Sequence, residues 1–504
     1  MGPLQDRERA IERQPADCSR RCTLPMKTFL RSILFLTAFI LVGCRPEERF
    51  WWSPDGSQAV VAAGGRLYLT TADGELDAPL SDELLFNNDL PRHISWLPDG
   101  TGFVLHRIQR LPDWKAARSA LPPDEVAEIE RRALAIPGLV KAAAAMSKDI
   151  DGIEPLLQVV SIPGKDLMTA AFYCSWQSHP TTIEADLRAL PKGAEILAGI
   201  REETAPFSIH EICLIKVQGN QTEGAPKSIV RSIRPVILPA VSPKAPVVAY
   251  CRILDDDKTA ALEVSTLDGQ ARLSVGSSSS GTFDWTSDGR SLVFSAPVNE
   301  GETLLQSIRR SSVVQDSGAL VAGDLETTDL AIGIAPTPPR VCALPDGRIL
   351  FSSQPATLPA KSSGFDPAPR LYLISVDGVT VNAVPTAPGD LPANLGFFVP
   401  SPDGKRVAVV ESDTDAVAVI DLTTGKTDIV SPAHPKWECR TMPAWKSATE
   451  LTFAGLESSA GNPRWMSWSP NTGVRSIGKT WAPDATRDWL NEKKESKNPA
   501  GGDR

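Results

Sequence analysis

A short turn sequence recurs along the chain and constrains the fold more than any other feature. The clearest copy is FVPSPDGKRVAVV at Phe398–Val410. Pro402 sets φ at the first turn position, Asp403 can hydrogen-bond its own backbone, and Gly404 accepts positive φ. The alternating valines that follow predict a half-buried strand. The stretch therefore predicts two strands joined by a tight turn.

Six further copies of this turn occur in the chain, four of them clear and two degenerate. The clear copies are WSPDGSQAVV at Trp52–Val61, WLPDGTGFVL at Trp96–Leu105, WTSDGRSLVF at Trp285–Phe294 and ALPDGRILF at Ala343–Phe351. The degenerate copies are VSPKAPVVAY at Val241–Tyr250 and WKSATELTF at Trp445–Phe453. The turn residues proper are Asp55, Gly56, Asp99, Gly100, Asp288, Gly289, Asp346, Gly347, Asp403 and Gly404. Because the aspartates repeat with the fold, we assign them to backbone hydrogen bonding rather than to catalysis.

The spacing of the copies predicts a repeat architecture. Three pairs of successive turn glycines, or of residues in their place, lie 44 residues apart, as Gly56 and Gly100 do. The steps on either side of Gly347 are 58 and 57 residues, and the step from Gly100 to Ala245 is 145 residues. A period of about 40 to 45 residues with strand signals is typical of four-stranded propeller blades. We therefore predict an all-β, seven-bladed β-propeller over residues 50–479.

A second strand pair completes each unit, as in RLYLT at Arg66–Thr70 and RLYLI at Arg370–Ile374. With its tryptophan-led Pro-Asp-Gly turns, the chain resembles the TolB-like, WD-type propeller repeats of bacterial envelope proteins. That resemblance implies a propeller that acts as a protein-binding platform. The tryptophans immediately before the turns are expected to pack between blades.

The long step places a mostly helical insertion, residues 110–209, between the second and third strands of the second blade. Pro122 and Pro123 predict a helix start, residues 138–146 form an alanine-rich apolar helix, and Thr181–Glu184 has the form of a capping box. We expect these helices to form a cap that, with the long loop at Gln354–Pro369, partly covers a central pocket. One alternative stays open: Leu167–Trp176 starts an eighth blade.

The first 49 residues predict export and lipid anchoring. Residues 26–43 combine Lys27 and Arg31 with a short apolar run, which predicts a secretory signal. Leu41–Cys44 matches a bacterial lipobox, and this resemblance implies that Cys44 is lipidated and anchors the chain in the membrane. The alternative is a plain signal or an uncleaved anchor helix.

Four further boundary and localisation predictions follow from the termini. Residues 1–25 read as an upstream extension, and 44–49 as a lipidated N-terminus and linker. Residues 480–504 predict a short helix and a polar tail. Arg45 follows the cysteine, so an aspartate retention signal for the inner membrane is absent from that position. We therefore expect the cell envelope, periplasmic or surface-facing, with the outer membrane favoured over the inner.

Charge and cysteine usage narrow the ligand classes. The formal charge of -9 becomes near -12 without residues 1–43, and such a surface does not attract nucleic acid. Five of the eight cysteines remain beyond Cys44, an odd set without metal-ligand spacing. Buried free thiols are the default. A pair between Cys213 and Cys251 stays open, because both lie on strands of adjacent blades.

No catalytic, metal-binding or cofactor-binding constellation is recognised. His93 and His106 share one hairpin, but none of the five histidines has a paired metal spacing. The GSSSSG run at Gly276–Gly281 is expected to be a blade linker, and Asp255–Asp257 a solvated turn.

Two function classes follow from the sequence. The first is an envelope-anchored, non-catalytic propeller lipoprotein, monomeric, that binds an envelope protein or peptide. The alternative is a propeller hydrolase or lyase with its site in the central channel under the helical cap.

Overall fold

The structure, a computed structural model, describes residues 49–63, 66–71, 76–81, 92–146, 166–190, 193–254, 260–278, 282–299, 305–321, 324–334, 340–353, 370–386, 395–411, 416–431, 437–439, 442–457 and 463–477. The chain divides into two compact units, Met1–Arg45 and Pro46–Arg504, and every described residue belongs to the second. The predicted extension, signal peptide, Cys44 and C-terminal helix therefore lie outside the described residues, as do Asp255–Asp257 and Gln354–Pro369.

The described part of the chain forms seven antiparallel sheets, numbered here in chain order, in which consecutive strands pair as a meander. Sheets 1 to 4 contain β1 Arg49–Trp52, β2 Gln58–Ala63, β3 Arg66–Thr71 and β4 Leu76–Ser81; β5 Ile94–Trp96, β6 Gly102–Leu111, β7 Phe207–Gln218 and β8 Gln221–Ser232; β9 Val236–Val241, β10 Val247–Ile253, β11 Ala260–Thr266 and β12 Arg272–Ser278; and β13 Phe283–Trp285, β14 Ser291–Pro297, β15 Leu305–Ser312 and β16 Thr327–Ile334.

Sheets 5 to 7 continue the pattern, and in sheet 7 both β25 and β26 pair with β27. Their strands are β17 Val341–Ala343, β18 Ile349–Ser353, β19 Arg370–Ile374 and β20 Val381–Ala383; β21 Leu395–Pro400, β22 Arg406–Glu411, β23 Val417–Asp421 and β24 Thr427–Ser431; and β25 Trp437–Cys439, β26 Ala444–Trp445, β27 Leu451–Glu457, β28 Pro463–Ser469 and β29 Gly473–Ser476.

The recurring turn joins the first two strands of a sheet, and its geometry explains its sequence. Gly404 has φ 65° and its amide donates to the Ser401 carbonyl at 2.8 Å. Asp403 accepts from the Lys405 amide at 3.1 Å and from the Ser401 hydroxyl at 2.6 Å. In the degenerate copy of sheet 3, the Ser242 hydroxyl accepts from the Ala245 amide at 3.1 Å. In this copy a serine hydroxyl, rather than an aspartate, therefore accepts a turn amide.

Each sheet buries both of its faces. In β10, Val247 and Ala249 pack towards sheet 4, whereas the intervening Val248 and Tyr250 pack towards sheet 2. Because successive side chains of a strand point to opposite faces, a strand buried on both faces is apolar at every position. This explains why the second strand of each unit reads as a continuous apolar run rather than as an alternation.

Seven apolar clusters fill the seven boundaries between neighbouring sheets. Six of them join sheets that are consecutive in the chain. The seventh joins sheet 1 to sheet 7, where the Phe50 ring lies 3.9 Å from the Trp465 ring, centroid to centroid. The ring is therefore closed, and the predicted seven-bladed propeller is confirmed. Among the described residues, each blade keeps its own strands, so no strand is exchanged between sheets 1 and 7.

A recurring hydrogen bond fixes three of the sheets directly against the sheet before them. The indole N–H of Trp96 donates to the Trp51 carbonyl at 2.8 Å, and that of Trp285 to the Ala240 carbonyl at 2.9 Å. Trp445 donates in the same way to the carbonyl of Val399, at 2.9 Å. Each donor is the tryptophan that opens its turn sequence, and each acceptor is the residue directly before the corresponding position of the preceding sheet. The same repeat position therefore makes the same contact at several boundaries.

The closing boundary uses this bond through a relay. The Trp52 indole donates to the Thr452 hydroxyl at 2.8 Å, and that hydroxyl donates to the Ala444 carbonyl at 2.8 Å. Ala444 occupies the acceptor position of sheet 7. Sheets 1 and 7 therefore face each other in the same register as the sheets joined by a direct indole bond. The difference is that the Thr452 hydroxyl lies between the indole and the carbonyl.

At two boundaries without a donor tryptophan, a backbone amide makes the hydrogen bond instead. Sheets 3 and 5 carry Val241 and Ala343 at the tryptophan position, and their backbone amides donate to the preceding sheet. Val241 donates to the Ser95 hydroxyl at 2.9 Å, and Ala343 donates to the Asp284 carboxylate at 3.1 Å. At the boundary of sheets 5 and 6 this position is Pro400, which has no amide hydrogen. That boundary lacks the bond among the described residues.

The insertion between β6 and β7 is helical where it is described. Because β6 and β7 pair as far as Leu111 and Phe207, it spans residues 112–206, against the 110–209 expected. Its helices are α1 Trp114–Ala120, α2 Pro123–Ala133, α3 Ile136–Met146, α4 Asp166–Ser178, α5 Pro180–Arg188 and α6 Gly193–Glu202. They share one apolar cluster with Phe207, Ile209 and Ile233. In α2, the buried carboxylate of Glu125 accepts from the Ser232 hydroxyl and the Ile233 amide, both at 2.7 Å.

Three sequence expectations are corrected here. Leu167–Trp176 lies in α4 and starts no eighth blade. Helix α5 begins at Pro180, and its N-cap His179 makes no side-chain cap bond, so the proposed capping box is absent; proline suits the first helical position because its missing amide hydrogen is not needed there. Gly276 lies in β12 rather than in a linker, since β12 pairs with β11 as far as Ser278.

Cys213 and Cys251 are buried free thiols. Cys213 packs in the cluster between sheets 1 and 2, whereas Cys251 packs in the cluster between sheets 3 and 4. Both side chains point away from the boundary between sheets 2 and 3, one towards sheet 1 and the other towards sheet 4. They therefore cannot form the disulfide that the sequence left open.

The repeated indole bond predicts a measurable contribution to stability. Trp285→Phe removes the indole donor to the Ala240 carbonyl. The matched control is Trp176→Phe, because the buried Trp176 indole N–H has no hydrogen-bond partner among the described residues. We expect Trp285→Phe to lower the free energy of unfolding by about 1 kcal/mol more than the control does. Urea denaturation measures both, and equal losses would contradict the assigned role.

Candidate functional site: the central cavity

A cavity of about 450 Å³ runs through the middle of the propeller. The innermost strand or strands of every sheet line it, and representative lining residues of sheets 1 to 7 are Trp51, Ile94, Leu238, Phe283, Val341, Phe398 and Ala444. It reaches from the residues before the inner strands, such as Arg92 and Arg340, to those near the turns, such as Pro402. Its volume lies in the range of about 300 to 1,000 Å³ that small-ligand pockets occupy.

One repeat position supplies much of the lining. The residue seven positions before the turn glycine, or before its replacement, lines the cavity in five of the seven sheets: Arg49, Leu238, Thr282, Arg340 and Phe397. The sequence repeat locates this layer, but the turn signature drew attention to the aspartates instead. The relevant signal was variation at a fixed repeat position. Structural positions keep their residue type, whereas this one changes from sheet to sheet.

The cavity walls are strongly aromatic. Eight of the lining residues are phenylalanine or tryptophan: Phe50, Trp51, Trp52, Trp96, Phe283, Phe397, Phe398 and Trp445. Several also serve the sheet boundaries, as Trp96 and Trp445 do through their indole bonds. Aromatic rings give large apolar contact area at little cost in conformational entropy. The walls therefore suit a ligand with apolar or aromatic groups.

Four charged residues line the cavity, three arginines and one aspartate. Arg92 donates to the Phe283 carbonyl at 2.9 Å, and its guanidinium lies 3.9 Å from the Asp284 carboxylate. Burial raises the pKa of Asp284, while Arg92 and the amides of Ala343 and Trp285 oppose that rise. Because both oxygens of Asp284 accept backbone amides, its geometry is that of a link between sheets 4 and 5.

The positive charge of Arg340 lies beside an aromatic ring rather than a carboxylate. Its guanidinium carbon lies 4.3 Å from the centre of the Phe397 ring, across the boundary that lacks the backbone bond. Burial lowers the pKa of Arg340 to about 10. No carboxylate of the described residues forms an ion pair with it. Burial also raises the pKa of the neighbouring Cys342 thiol, so this thiol stays neutral and does not offset the arginine.

Backbone strain occurs at the same layer. Leu238 has φ 60°, and among the described residues it is the one non-glycine residue with positive φ. It lies in β9, where the pairing with β10 shifts register between Ala249 and Cys251. A leucine in this region costs about 1 to 3 kcal/mol, and such residues cluster at functional sites. The strain turns an apolar side chain of β9 to the cavity wall.

The predicted turn aspartates lie away from the cavity. Asp55, Asp99, Asp288, Asp346 and Asp403 each accept from the backbone amide two residues further on, at 3.0 to 3.1 Å. The Ser53 hydroxyl is the main cause of the lowered pKa of Asp55, and the Thr101 amide that of Asp99. Gly56, Gly100, Gly289, Gly347 and Gly404 all have positive φ.

The helical insertion does not cover the cavity in the part that the structure describes. None of the cavity-lining residues comes from α1 to α6. The helices instead pack on Phe207, Ile209 and Ile233, near the ends of β7 and β8. The expected cap over a central site is therefore corrected, because the insertion buries its apolar faces against the edge of sheet 2.

Three buried histidines form a row across sheet 2. The rings of His93 and His106 stack with centroids 6.0 Å apart, and those of His106 and His210 stack at 5.5 Å. His106 Nε2 lies 3.2 Å from His210 Nδ1. Burial lowers the pKa of His106 well below its usual value, and lowers that of His210 to about 4. His106 and His210 are therefore neutral near pH 7.

Two features are absent from the described residues. No group of three or more histidine, cysteine, aspartate or glutamate residues there is arranged to hold a metal ion. None of the helices described is both long enough and apolar enough to cross a membrane.

The fold and the cavity define a seven-bladed β-propeller with an aromatic, arginine-bearing central channel. No protein-family model and no curated protein sequence matches the chain. Among solved structures, it is similar to TolB from Acinetobacter baumannii, with 19% identity over 54% of this chain and 60% of that one and a TM-score of 0.35. The chain thus spans three fifths of that TolB structure.

Two further solved propellers are similar to the chain. The propeller domain of the Trilobed protease from Pyrococcus furiosus matches with 14% identity over 54% of this chain and 76% of that one, at a TM-score of 0.36. Oligogalacturonate lyase from Vibrio parahaemolyticus matches with 10% identity over 74% and 77%, at a TM-score of 0.39. These similarities concern the fold, and the propeller assignment itself comes from the seven sheets of the chain.

The histidine row predicts a pH dependence of stability. Because the folded-state pKa of His210 lies below the unfolded value of 6.5, the unfolded chain binds more protons below pH 6.5. Stability is therefore lost as pH falls from 6.5 towards 4. His210 alone contributes a loss of about 2 kcal/mol between pH 7 and pH 5.

His210→Asn keeps an acceptor near the position of Nδ1 and removes the titration. Urea denaturation at pH 7 and pH 5 should show a smaller loss for this variant than for the unmodified chain. The control is His179→Asn, because His179 is exposed and makes no side-chain cap bond. An unchanged pH dependence in His210→Asn would show that the row does not control it.

Proposed function

We propose that the protein is an envelope-anchored, non-catalytic propeller lipoprotein that binds a segment of a protein or peptide in its central cavity. The observation that carries this proposal is the lining of the cavity. All seven sheets contribute to it, its walls are aromatic, and its few polar groups include charged arginines. Sites of this kind, apolar with a small number of placed polar groups, are the usual binding sites for ligands.

The size of the cavity supports a segment rather than a folded domain. A volume of about 450 Å³ holds a short peptide stretch but is too small for a second domain. A peptide also matches the chemistry of the walls, because it presents apolar side chains and hydrogen-bonding backbone groups together. Asp284 also fits a binding site better than a catalytic one. Both oxygens of its carboxylate accept backbone amides, so the group links two sheets.

Photo-crosslinking from inside the cavity tests the binding proposal. p-Benzoylphenylalanine in place of Phe397 keeps an aromatic ring at the cavity wall. We expect irradiation of bacterial cells that express the full chain to give a discrete peptide adduct at this position, identified by mass spectrometry of the crosslinked protein.

The matched control places the same photoreactive residue at Val379, which is 80% exposed in the loop between β19 and β20. The same partner segment should be captured at 397 in every replicate and not at 379. If position 397 gives no peptide adduct, or if both positions give the same adducts, the cavity is not the binding site.

The anchoring part of the proposal is supported by the lipobox at Leu41–Cys44 and the basic and apolar segments before it. Two or three acyl chains on one cysteine hold a protein stably at a membrane, whereas a single chain binds reversibly. The partner would then be a component of the same envelope compartment.

Metabolic labelling with an alkyne fatty acid tests the anchor. We expect label on the unmodified chain and on Cys18→Ser, the control, because Cys18 lies upstream of the proposed cleavage site. Cys44→Ser should carry no label and should leave the membrane fraction. Labelled Cys44→Ser would refute the anchor at this residue.

A further inference from the structure

The charge of the cavity opposes that of the protein. The chain carries a formal net charge of -9, whereas the charged residues of the cavity are Arg49, Arg92 and Arg340 against Asp284 alone. A positive group inside an apolar, protein-walled space is costly unless a negative group accompanies it. An arginine of the cavity without an ion pair among the described residues is therefore a candidate to bind an anion from a ligand.

Asp284 does not supply the missing charge for every arginine. Its carboxylate lies beside Arg92 at 3.9 Å and accepts the amides of Ala343 and Trp285. Among the residues that the structure describes, no carboxylate forms an ion pair with Arg340. The lowered pKa of Arg340, caused by burial, agrees with a guanidinium whose charge is not matched by the chain itself.

The setting of Arg340 leaves it able to accept an anion. Its guanidinium lies over the Phe397 ring, and a stacked guanidinium keeps its edge N–H donors available for a planar partner. A carboxylate fits that edge with two parallel hydrogen bonds. The arginine lies in the cavity layer that also contains Leu238 and Thr282, so the anion would be surrounded by apolar wall.

We propose that the central cavity binds a carboxylate carried by a short apolar or aromatic peptide segment, with Arg340 as its counter-ion and the aromatic walls as the site for the neighbouring side chains. This inference rests on the proposed peptide-binding function and specifies the chemistry of its ligand. Two parts of a peptide can supply the carboxylate, the C-terminus and an acidic side chain.

Three probe peptides separate these sources from one another. They are acetyl-Ala-Phe-Phe with a free C-terminus, the C-terminal amide of the same peptide, and acetyl-Asp-Phe-Phe amide. Isothermal titration calorimetry with the full chain in detergent measures their affinities. We expect at least one carboxylate peptide to bind about tenfold or more tightly than the uncharged amide, because an ion pair formed in a desolvated site contributes strongly. The tighter of the two identifies the source.

Variants at Arg340 decide whether this residue is responsible. Arg340→Gln should abolish the preference for the carboxylate peptides, and Arg340→Lys should retain part of it, since lysine keeps the charge but not the planar fork. The control is Arg118→Gln, because Arg118 lies on α1 with a side chain 60% exposed, and it should bind as the unmodified chain does. Circular dichroism confirms that each variant is folded.

The possible failures are distinguishable. If the amide binds as tightly as the carboxylate peptides, or if Arg340→Gln keeps the preference, peptide binding stands and the carboxylate inference is wrong. If none of the three peptides binds to the unmodified chain, the proposed peptide-binding function of the cavity is itself refuted.

Discussion

The structure depends on how each sheet is fixed against the one before it. An indole N–H, or a backbone amide in its place, crosses the boundary at one repeat position, as Trp285 to Ala240 and Val241 to Ser95 show. The apolar clusters provide most of the free energy of packing, but they are not directional. The hydrogen bonds fix which residues face each other, and this register closes the ring through Trp52 and Thr452.

The same constraint produces the central cavity, the candidate site. Because the residue four positions before the turn glycine is held at a sheet boundary, the residue seven positions before it lies at the channel in most sheets. Structural demands on that position are weak, so it carries arginine, leucine, threonine or phenylalanine in different sheets. The boundary of sheets 5 and 6 lacks the usual bond at Pro400, and Arg340 stacks on Phe397 across this same boundary. A repeat that stabilises the ring thus leaves a layer of cavity positions free to vary from sheet to sheet.

The repeat made the propeller predictable from sequence, because turn glycines with positive φ recur along the chain, Gly56 and Gly100 at a distance of 44 residues. Helix α2 was also predictable from Pro123 and its apolar spacing. The place where the insertion packs was not predictable, because amphipathic helices indicate only that some surface is buried. The contact of Glu125 with Ser232 also joins residues that lie far apart in the chain. The proximity of His93 and His106 was predictable, because they share a hairpin. The proximity of His210 was not, because the insertion separates it from them in the sequence. A central pocket was predicted, but its lining residues were not, because their layer has no constant residue type.

The central claim is that sheets 1 and 7 are held in the same register as every other hydrogen-bonded pair of neighbours. Hydrogen exchange of the tryptophan indole N–H groups, followed by NMR and assigned with single Trp→Phe variants, tests it most directly. A closed ring predicts that the Trp52 indole exchanges as slowly as those of Trp96, Trp285 and Trp445, because all four open together. Rapid exchange at Trp52, with the other three protected, would show that the ring is open at this boundary and would contradict the account.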